Sequence, residues 1–454
     1  MMKLTFSQWM GCAKFIWNAK CDEEKYQARF AKKYLPIGTY PEIDQTFSQY
    51  KNTELSPWLY ECPSQILRNS AVNWYKTYRK FLKGQCGKPK RKKKSDTASI
   101  HLTKELFKFE KCADGVTRLF IGTKTNNVGY LSIKNHTSYK EPDSLYIKRK
   151  NGRYTVSFCY DDGVKELDIP TLEEHLDYLK GCSKEELEEC TLGVDRGITR
   201  PVQAGEHVFK FSKEETAKKK SLAKHIKRCQ RRLSKQKKGS KRRDKIKRRL
   251  AKCHDKIGNI RKDFCHKTSR SIVNIDKIKV IVLEDLKTSN MTKKPKPQKN
   301  EKTGVYEANG KRAKAGLNKA ILDVGWYQLE QFISYKARKA GKAVFKVAAC
   351  YTSQECSDCE YTHPDNRTNQ ERFLCRCCGY SDNADHNAAK VIKKKAIQLI
   401  LHSGTELSKR GVLLDSGRGA VHKTQEGIPT CARSIEASKK KTRVKKTRVG
   451  SSLL

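Results

Sequence analysis

The chain has 454 residues, and its 97 Lys or Arg against 49 Asp or Glu give a formal net charge of +48. Such a charge favours a polyanionic partner such as nucleic acid. With 5 Trp, 19 Tyr and 15 Phe the chain is too aromatic for a disordered protein, and its length predicts two to four domains. Because it contains no run of 18 apolar residues and no secretory signal pattern, we expect an intracellular protein. Its 18 cysteines are then expected to be thiols or metal ligands, with disulfides the weaker alternative.

The first 190 residues are predicted to hold a helical region and then a β-rich region. Apolar residues recur at helical spacing from residue 6 to 83. Gly87, Pro89 and the run Lys90–Lys94 then break the helix and predict a basic linker. Between residues 98 and 161, short β-rich runs alternate with Gly, Asn and Pro, which is typical of a small barrel or sandwich. An acidic, helix-prone stretch follows at 172–189.

The second half of the chain alternates strands with helices. The predicted elements are a strand at 191–195, a hairpin at 202–211, a basic helical hairpin at 215–270, a strand at 278–284, a helix at 317–340, a strand at 343–349 and a helix at 387–401. Within the basic hairpin, residues 217–250 contain 18 Lys or Arg and one acid. A surface whose charges are nearly all positive indicates nucleic-acid binding, and the alternative is a solvated pair of charged helices.

Four cysteines have the spacing of a zinc ribbon. Cys356 and Cys359 form one C-x-x-C pair, and Cys375 and Cys378 form a second pair after fifteen residues. Each pair is a tight turn that points two thiolates at one ion, and the two pairs complete a tetrahedral site. With four protein ligands and no open position, the site is predicted to hold structural Zn²⁺. Cys377 is a further thiol between the second pair, and its role stays open.

Three acids form a second candidate site. Asp195 and Glu284 end two predicted strands, and Asp385 enters the last helix. Converging carboxylates can hold two Mg²⁺ ions about 3.5–4 Å apart, one activating a water and one stabilising the leaving 3′ oxygen of a phosphodiester. Taken singly, each acid is more often a cap or a surface charge. The order strand, hairpin, helix, strand, helix, strand, helix is nevertheless the layout of an RNase H-like fold, so the sequence predicts nuclease chemistry.

Several motifs together resemble one family. They are Gly193-Val-Asp195-Arg-Gly197-Ile198, Val282-Leu-Glu284-Asp-Leu286, Tyr351-Thr-Ser353-Gln354-Glu-Cys356-Ser-Asp-Cys359 and Asp385-His-Asn387-Ala388-Ala389. In this order they resemble the TnpB proteins of insertion sequences, which are relatives of type V CRISPR effectors. The resemblance covers the chain from about residue 6 to residue 401.

The resemblance implies an RNA-guided DNA endonuclease of an insertion sequence. A guide RNA from the transposon end would direct one RuvC-like site to cut both DNA strands beside a short target-adjacent motif. Asp195, Glu284 and Asp385 would be the catalytic residues that bind two Mg²⁺ ions, and the four cysteines would bind Zn²⁺. The implied fold is multidomain α+β, with an RNase H-like (RuvC) nuclease domain carrying an inserted zinc ribbon, an N-terminal helical recognition lobe and a β-barrel wedge domain.

The expected domain boundaries follow the motifs and the changes in composition. They are a short first wedge strand at 1–5, a helical recognition domain with a basic linker at 6–95, a β-barrel wedge domain at 96–185, a RuvC-like nuclease domain at 186–350, a zinc ribbon at 351–380, the last RuvC helix at 381–402 and a disordered basic tail at 403–454. The residues expected to bind nucleic acid are Lys76, Arg79, Lys80, Lys88, Lys90, Arg91, Lys92, Arg228, Arg231, Arg232, Lys241, Arg242 and Arg243. Trp74, Tyr75 and Tyr78 are candidates for base stacking, with core packing as the alternative.

Three positions depart from the family pattern. Arg196 stands where we expect an apolar residue, Asn383 where we expect an acid, and Glu360 where Gly is common after the second zinc cysteine. Since all three carboxylates are present, we expect an active enzyme.

Other functions stay open at this point. They are a compact type V CRISPR effector with an array-derived guide, a non-cutting RNA-guided regulator and a transposase that transfers DNA strands. We expect a monomer, located in the cytoplasm with the nucleoid of a prokaryote or in the nucleus of a eukaryote.

Overall fold

The computed structural model describes two compact units, Met1–Gly163 and Val164–Leu454. The described residues are 2–402 without 37, 40–41, 94–96, 112–116, 133–139, 162, 164–169 and 302, together with 405–407 and 413–415. The expected disordered tail at 403–454 therefore lies largely outside the described residues. None of the described helices is long and apolar enough to cross a membrane.

The first unit begins with helices and continues with strands. Its helices are α1 (Met2–Tyr26), a π-helix (Gln27–Ala31), α2 (Lys32–Tyr34), three 3₁₀ turns (Ser48–Tyr50, Pro57–Leu59 and Lys104–Leu106) and α3 (Ser64–Leu82). Its strands are β1 (Ala98–Thr103), β2 (Phe107–Lys111), β3 (Thr117–Gly122), β4 (Asn127–Ser132), β5 (Ser144–Lys150) and β6 (Arg153–Cys159). The described strands form two antiparallel three-stranded sheets, in the orders β1-β5-β6 and β2-β3-β4, and not one closed barrel sheet.

One hydrophobic core joins the helices and the sheets of this unit. Trp9 and Ile16 of α1, Leu67 of α3, Ile100 of β1 and Leu119 of β3 belong to a single buried cluster. The regions expected as separate domains at 6–95 and 96–185 thus share their core up to residue 163.

The expected wedge strand at 1–5 is corrected by the structure. Its described residues, 2–5, lie in α1. The physical reason is periodicity, because Phe6, Trp9, Met10 and Ala13 are buried at helical spacing and extend one apolar helix face toward the N-terminus.

The second unit contains the remaining elements. Its helices are α4 (Leu172–Lys180), α5 (Lys184–Cys190), α6 (Lys213–Ser234), α7 (Lys241–Val273), α8 (Thr288–Met291), α9 (Lys311–Val324), α10 (Trp326–Lys339) and α11 (Ala384–Leu401). Its strands are β7 (Thr191–Asp195), β8 (Val202–Ala204), β9 (His207–Phe209), β10 (Val280–Glu284), β11 (Ala343–Val347), β12 (Arg372–Leu374), β13 (Ser381–Asn383), β14 (Thr405–Leu407) and β15 (Leu413–Asp415).

A five-stranded sheet of order β11-β10-β7-β8-β9 organises this unit. β7, β10 and β11 are parallel, whereas β8 and β9 extend the sheet antiparallel from β7. Both faces are covered, which explains the continuous apolar sequences of β7 and β10. Ile281 and Leu283 face a cluster with α7 and α10, and Val280 and Val282 face a cluster with α4, α5 and α11.

Helices α4 and α5 pack in the core of the second unit. Leu176, Leu179 and Leu187 pack in the same cluster as Val280 and Ile392. The expected end of the β-rich domain at residue 185 is too late, because these leucines complete the cover of the second sheet.

The basic hairpin forms at nearly the expected bounds. A capping box between Ser212 and Glu215 begins α6, and residues 235–240 connect α6 to α7. Ile226 and Cys229 of α6 and Cys253 of α7 are buried. The C-terminal end of α7 packs in the core of the unit, but elsewhere few side chains of the pair are buried, so a narrow apolar seam joins the two helices and their remaining surface is cationic.

Candidate carboxylate and cysteine sites

Asp195 and Glu284 lie side by side because their strands are parallel neighbours. Leu283 of β10 is opposite Val194 of β7, so the two acids follow at the same edge of the sheet. Side chains alternate between the faces of a strand. Gly193 lies against Ala389 of α11, and Asp195, two residues later, shares this face. Glu284 has the same parity as Val280 and Val282, which face α11, so both acids point to the α11 side of the sheet.

Asp385 reaches the same place from the first turn of α11. The side chain of Asn383 caps this helix by accepting hydrogen bonds from the backbone N–H groups of Asp385 and His386. The absence of a side chain at Gly193 lets α11 lie directly on β7, since an added Cβ would be 2.1 Å from the carbonyl oxygen of Ala389. An added Cβ at Gly197 would be 3.8 Å from Asp385 Oδ2, which places Asp385 beside the loop that follows Asp195.

All three carboxyl groups have a raised pKa. Desolvation and the negative charges of Glu284 and Asp385 raise the pKa of Asp195 to about 8. Burial raises the pKa of Glu284, against a hydrogen bond from Thr352 and the positive charge of Arg196. Burial also raises the pKa of Asp385, although Arg367 and Arg200 oppose it. Three acids with raised pKa values at one sheet edge are typical of a functional site.

Their spacing is wider than that of a single-ion cage. In the described part of the chain, the cysteine group is the one set of three or more metal-ligating side chains whose ligand atoms all lie within 4.8 Å of one another. The oxygens of the three carboxylates therefore extend beyond that mutual distance.

A buried ionic network lies behind Glu284. Arg196 is 2% exposed, and its guanidinium donates to Glu330 Oε2 at 2.9 Å and to the backbone carbonyl of Glu284 at 2.5 Å. Glu330 also pairs with Lys346 at 2.6 Å. Thr352 donates to Glu284 Oε1 at 2.5 Å. Arg196 thus links the loop after β7 to the end of β10, which explains why a charge replaces the apolar residue expected there.

A second cation contacts the carboxylates from the segment between the two C-x-x-C pairs. Arg367 Nη2 lies 3.3 Å from Asp385 Oδ1 and donates to the backbone carbonyl of Gln370 at 3.0 Å. This ion pair partly neutralises Asp385. It also connects the cysteine-rich region directly to the carboxylate site.

The four predicted cysteines converge in space. The Sγ atoms of Cys356, Cys359, Cys375 and Cys378 all lie within 4.8 Å of one another. The closest pairs are Cys356 with Cys378 at 3.7 Å and Cys359 with Cys375 at 3.5 Å. Cys377 is exposed and is not a member of this group of described residues.

Backbone amides point at two of these sulfurs, although burial raises the pKa of Cys356 and of Cys359. The N–H of Asp358 points to Cys356 Sγ and that of Cys377 to Cys375 Sγ, each at 3.4 Å. Burial alone would raise the pKa of Cys375, but backbone donors and neighbouring thiols lower it to about 7. Thiolate character is what a metal-binding cysteine needs.

Two buried asparagines tie the cysteine turns to the rest of the unit. Asn366 donates to the carbonyls of Gln354 and Tyr361 and accepts from the amide of Arg376, which joins both turns. Asn387 of α11 accepts from the amide of Ser357 at 2.9 Å and donates to the carbonyl of Glu355 at 2.7 Å. Since Asn387 is two residues after Asp385, the first cysteine turn helps to hold the start of α11.

The predicted nucleic-acid contacts have different surroundings. Exposed residues among them are Lys76, Arg79, Lys80, Lys88, Lys90, Arg91, Lys92, Arg228, Arg231, Arg232, Lys241 and Arg242. Lys88 pairs with Glu24, Arg91 pairs with Asp22, and Lys92 lies 3.6 Å from the ring centre of Trp17. The segment predicted as a basic linker is therefore docked on α1. Nucleic-acid binding by these residues stays a prediction.

Two other predicted contacts have structural roles in the described chain. Arg243 is half-buried and donates to the carbonyls of Leu233 and Gln236, so it closes the C-terminal end of α6. Trp74 is 1% exposed and donates to Cys21 Sγ, which favours the core-packing alternative for that ring.

Sequence reasoning missed the supports of the carboxylate site. Glu330, Thr352 and Arg367 contact Arg196, Glu284 and Asp385 only through the tertiary fold. The one signal in the sequence was Arg196 itself, a charge at a position that was expected to be apolar.

Two family models match the region that carries both sites. Residues 169–294, which contain Asp195 and Glu284, match OrfB_IS605, described as "Probable transposase". Residues 326–392, which contain the four cysteines and Asp385, match the TNB domain of Cas12f1-like proteins.

Individual relatives match over different lengths. The chain is 27% identical over 425 residues to the "Putative RNA-guided DNA endonuclease InsQ" of Escherichia coli strain K12, covering 93% of this chain and 94% of the relative. It is 33% identical over 162 residues to the "CRISPR-associated endodeoxyribonuclease Cas12f1" of Sulfoacidibacillus thermotolerans, covering 35% of this chain and 33% of the relative. A solved Cas12f1-sgRNA-target DNA complex is similar with a TM-score of 0.48 and 15% identity, over 86% of this chain and 82% of that one. By these models and relatives, the chain is similar to OrfB transposon proteins over residues 169–294, to the TNB domain of Cas12f1-like proteins over residues 326–392, and to a named RNA-guided DNA endonuclease over most of its length.

Proposed function

We propose that this protein is an RNA-guided DNA endonuclease of an insertion sequence, which binds a transposon-end-derived guide RNA and cuts double-stranded DNA beside a short motif. The observation that carries the proposal is the convergence of Asp195, Glu284 and Asp385 on one side of the sheet edge, with the pKa of each raised. The sheet order β9-β8-β7-β10-β11, with its antiparallel and parallel halves, supports an RNase H-like (RuvC) domain.

The donor set fits two Mg²⁺ ions. Mg²⁺ prefers carboxylate oxygens, and the mutual repulsion of these acids favours a divalent cation between them. When bound, such a pair of ions supplies an activated water and stabilises the leaving oxygen of the phosphodiester. Asp195, Glu284 and Asp385 would hold the ions.

Other residues position these three acids. Arg196 and Thr352 hold the end of β10 and the carboxylate of Glu284. Arg367 balances the charge of Asp385 until a cation is bound.

The cysteine group fits structural Zn²⁺. Four thiols with mutual distances below 4.8 Å, two of them receiving backbone N–H groups, match a tetrahedral Cys₄ site. Through Asn387, zinc at this place would also stabilise the start of α11 and thereby the position of Asp385.

The guide RNA and the target DNA account for the charge of the surface. The α6–α7 hairpin exposes rows of Lys and Arg, and the chain carries a net charge of +48. A guided nuclease needs this kind of surface, because base pairing selects the sequence and the protein contacts the backbone. The relative that matches along 93% of this chain is named an RNA-guided DNA endonuclease, which favours an insertion-sequence guide over an array-derived one.

The test begins with the full chain expressed together with the DNA that flanks its gene. RNA that co-purifies is sequenced, and the complex is incubated with Mg²⁺ and a target library with randomised flanks. We expect one defined RNA and Mg²⁺-dependent cuts beside one short motif. Asp195→Ala should abolish cutting and keep RNA affinity, and Glu189→Gln, an exposed acid on α5, is the matched control.

Each other outcome contradicts a stated part of the proposal. A defined RNA without cuts would indicate the non-cutting regulator, and a guide from a repeat array would indicate the CRISPR alternative. The absence of a specific RNA would exclude a guided enzyme. Equal loss of RNA affinity in Asp195→Ala would mean that Asp195 supports the fold or the RNA site instead of the catalytic ions.

A further inference from the structure

Three aromatic side chains form an exposed row at the end of α1. Tyr26, Phe30 and Tyr34 are spaced by four residues, which places them on one face of the helix. Neighbouring ring centres lie 5.4 Å apart for Tyr26 and Phe30 and 5.0 Å apart for Phe30 and Tyr34. The rings are nevertheless 53%, 47% and 68% exposed. We call these three residues the aromatic row.

The backbone beneath the aromatic row is unusual. The π-helix Gln27–Ala31 connects α1 to α2 and carries Phe30. Such turns occur frequently at functional sites. Contacts between neighbouring rings stabilise a helix only slightly, which does not by itself explain why three large rings face solvent.

Positive charge surrounds the aromatic row. Residues 25–41 include Lys25, Arg29, Lys32 and Lys33 and contain no Asp or Glu, and the three acids just before them, Asp22, Glu23 and Glu24, are paired with Arg91, Lys20 and Lys88. All four cations are exposed, and no ion pair involves them within the described part of the chain. Rings interleaved with unpaired cations are what a single-stranded nucleic acid needs, since bases stack on the rings and phosphates contact the cations.

We propose that the aromatic row is a stacking platform for unpaired bases of a single-stranded nucleic acid. A protein partner would also cover exposed rings, but a segment with four cations and no acid favours a phosphate backbone. The platform belongs to the first unit and does not depend on the carboxylate chemistry of the second. It therefore stands or falls separately from the proposed nuclease function.

The test separates base stacking from attraction between charges. The full chain is titrated with a labelled 20-mer of deoxythymidine, an abasic 20-mer of the same charge and a 20-base-pair duplex. Measurements at about 0.5 M salt suppress the phosphate contacts that a protein of this charge makes everywhere. We expect Tyr26→Ala/Phe30→Ala/Tyr34→Ala to bind the thymidine strand at least about fivefold more weakly, which is the low end for the loss of one stacked base. Binding of the abasic strand and the duplex should change less than twofold.

Two further variants keep the test decisive. Tyr26→Phe/Phe30→Tyr/Tyr34→Phe retains all three rings and should bind like the wild type. Tyr306→Ala/Tyr327→Ala removes two rings that are 70% and 63% exposed elsewhere and should also bind normally. Unchanged affinity of the triple alanine variant for the thymidine strand, or an equal loss for all three ligands, would overturn the proposal. So would a dimer of the wild type, seen by light scattering, that the triple variant lacks, since the row would then be a protein interface.

Discussion

Replacing Arg196 by Met tests the buried network behind the carboxylate site. The side chain is buried and makes charge-assisted hydrogen bonds to Glu330 and to the carbonyl of Glu284. Removing one partner of a buried ion pair costs about 3–5 kcal/mol. Because Lys346 still neutralises Glu330 at 2.6 Å, we expect the free energy of unfolding to decrease by an amount near the lower limit, about 3 kcal/mol.

Hydrogen exchange on peptides that span β10 measures this loss where it occurs. A loss of about 3 kcal/mol corresponds to roughly a hundredfold faster exchange of globally protected amides. The displaced end of β10 should also raise the Mg²⁺ concentration that gives half-maximal cleavage, since small misplacements of catalytic groups are costly. Arg270→Met, which removes an exposed arginine of α7, is the matched control and should change neither quantity.

A double-mutant cycle decides whether the effect comes from the ion pair. In Arg196→Met/Glu330→Met both charges are gone, and Lys346 keeps Asp285 at 3.8 Å. The double variant should therefore be destabilised by clearly less than the sum of the two single variants. Additive losses, or an Arg196→Met variant that exchanges like the Arg270→Met control, would refute the coupling.

Four further predictions concern the two sites. Without Mg²⁺, Asp195→Asn should stabilise the protein more at pH 8 than at pH 5, because a pKa raised from 3.8 to about 8 makes the stability of the wild type decrease as pH rises through that window. Thermal unfolding at both pH values measures the difference, and a larger gain at pH 5 would contradict it. Cys378→Ser should lose bound zinc while Cys377→Ser keeps it, as measured by metal analysis. Glu360→Gly should raise the free energy of unfolding by about 0.5–1 kcal/mol, because φ is +62° there, and a decrease would mean that the side chain matters more than the backbone. Gly193→Ala should destabilise by about 3 kcal/mol or more, since its Cβ would meet a carbonyl of α11 at 2.1 Å, and an unchanged unfolding curve would contradict this packing.

The local patterns of the sequence were sufficient to predict many of the elements of the second unit. Continuous apolar runs identified β7 and β10, which are buried on both faces, and each run ends in an acid. The C-x-x-C spacing brought the four cysteines into one group, because a short turn leaves little freedom for its two thiols. The basic hairpin was also predicted, within a few residues at each end, since its 3.6-residue pattern is strong.

Tertiary packing decided what local patterns do not encode. The helices and strands of the first unit share one core, and α4 and α5 cover the second sheet. Both results depend on which apolar faces come into contact in the folded chain. The partners of Arg196 and Asp385 are distant in sequence, so hydrogen bonds and ion pairs that only the fold creates select Glu330 and Arg367. The sequence by itself determined which residues we propose for the chemistry, because their types and spacings are local. Only the tertiary structure decided how they are held, because burial and long-range contacts set their charges and positions.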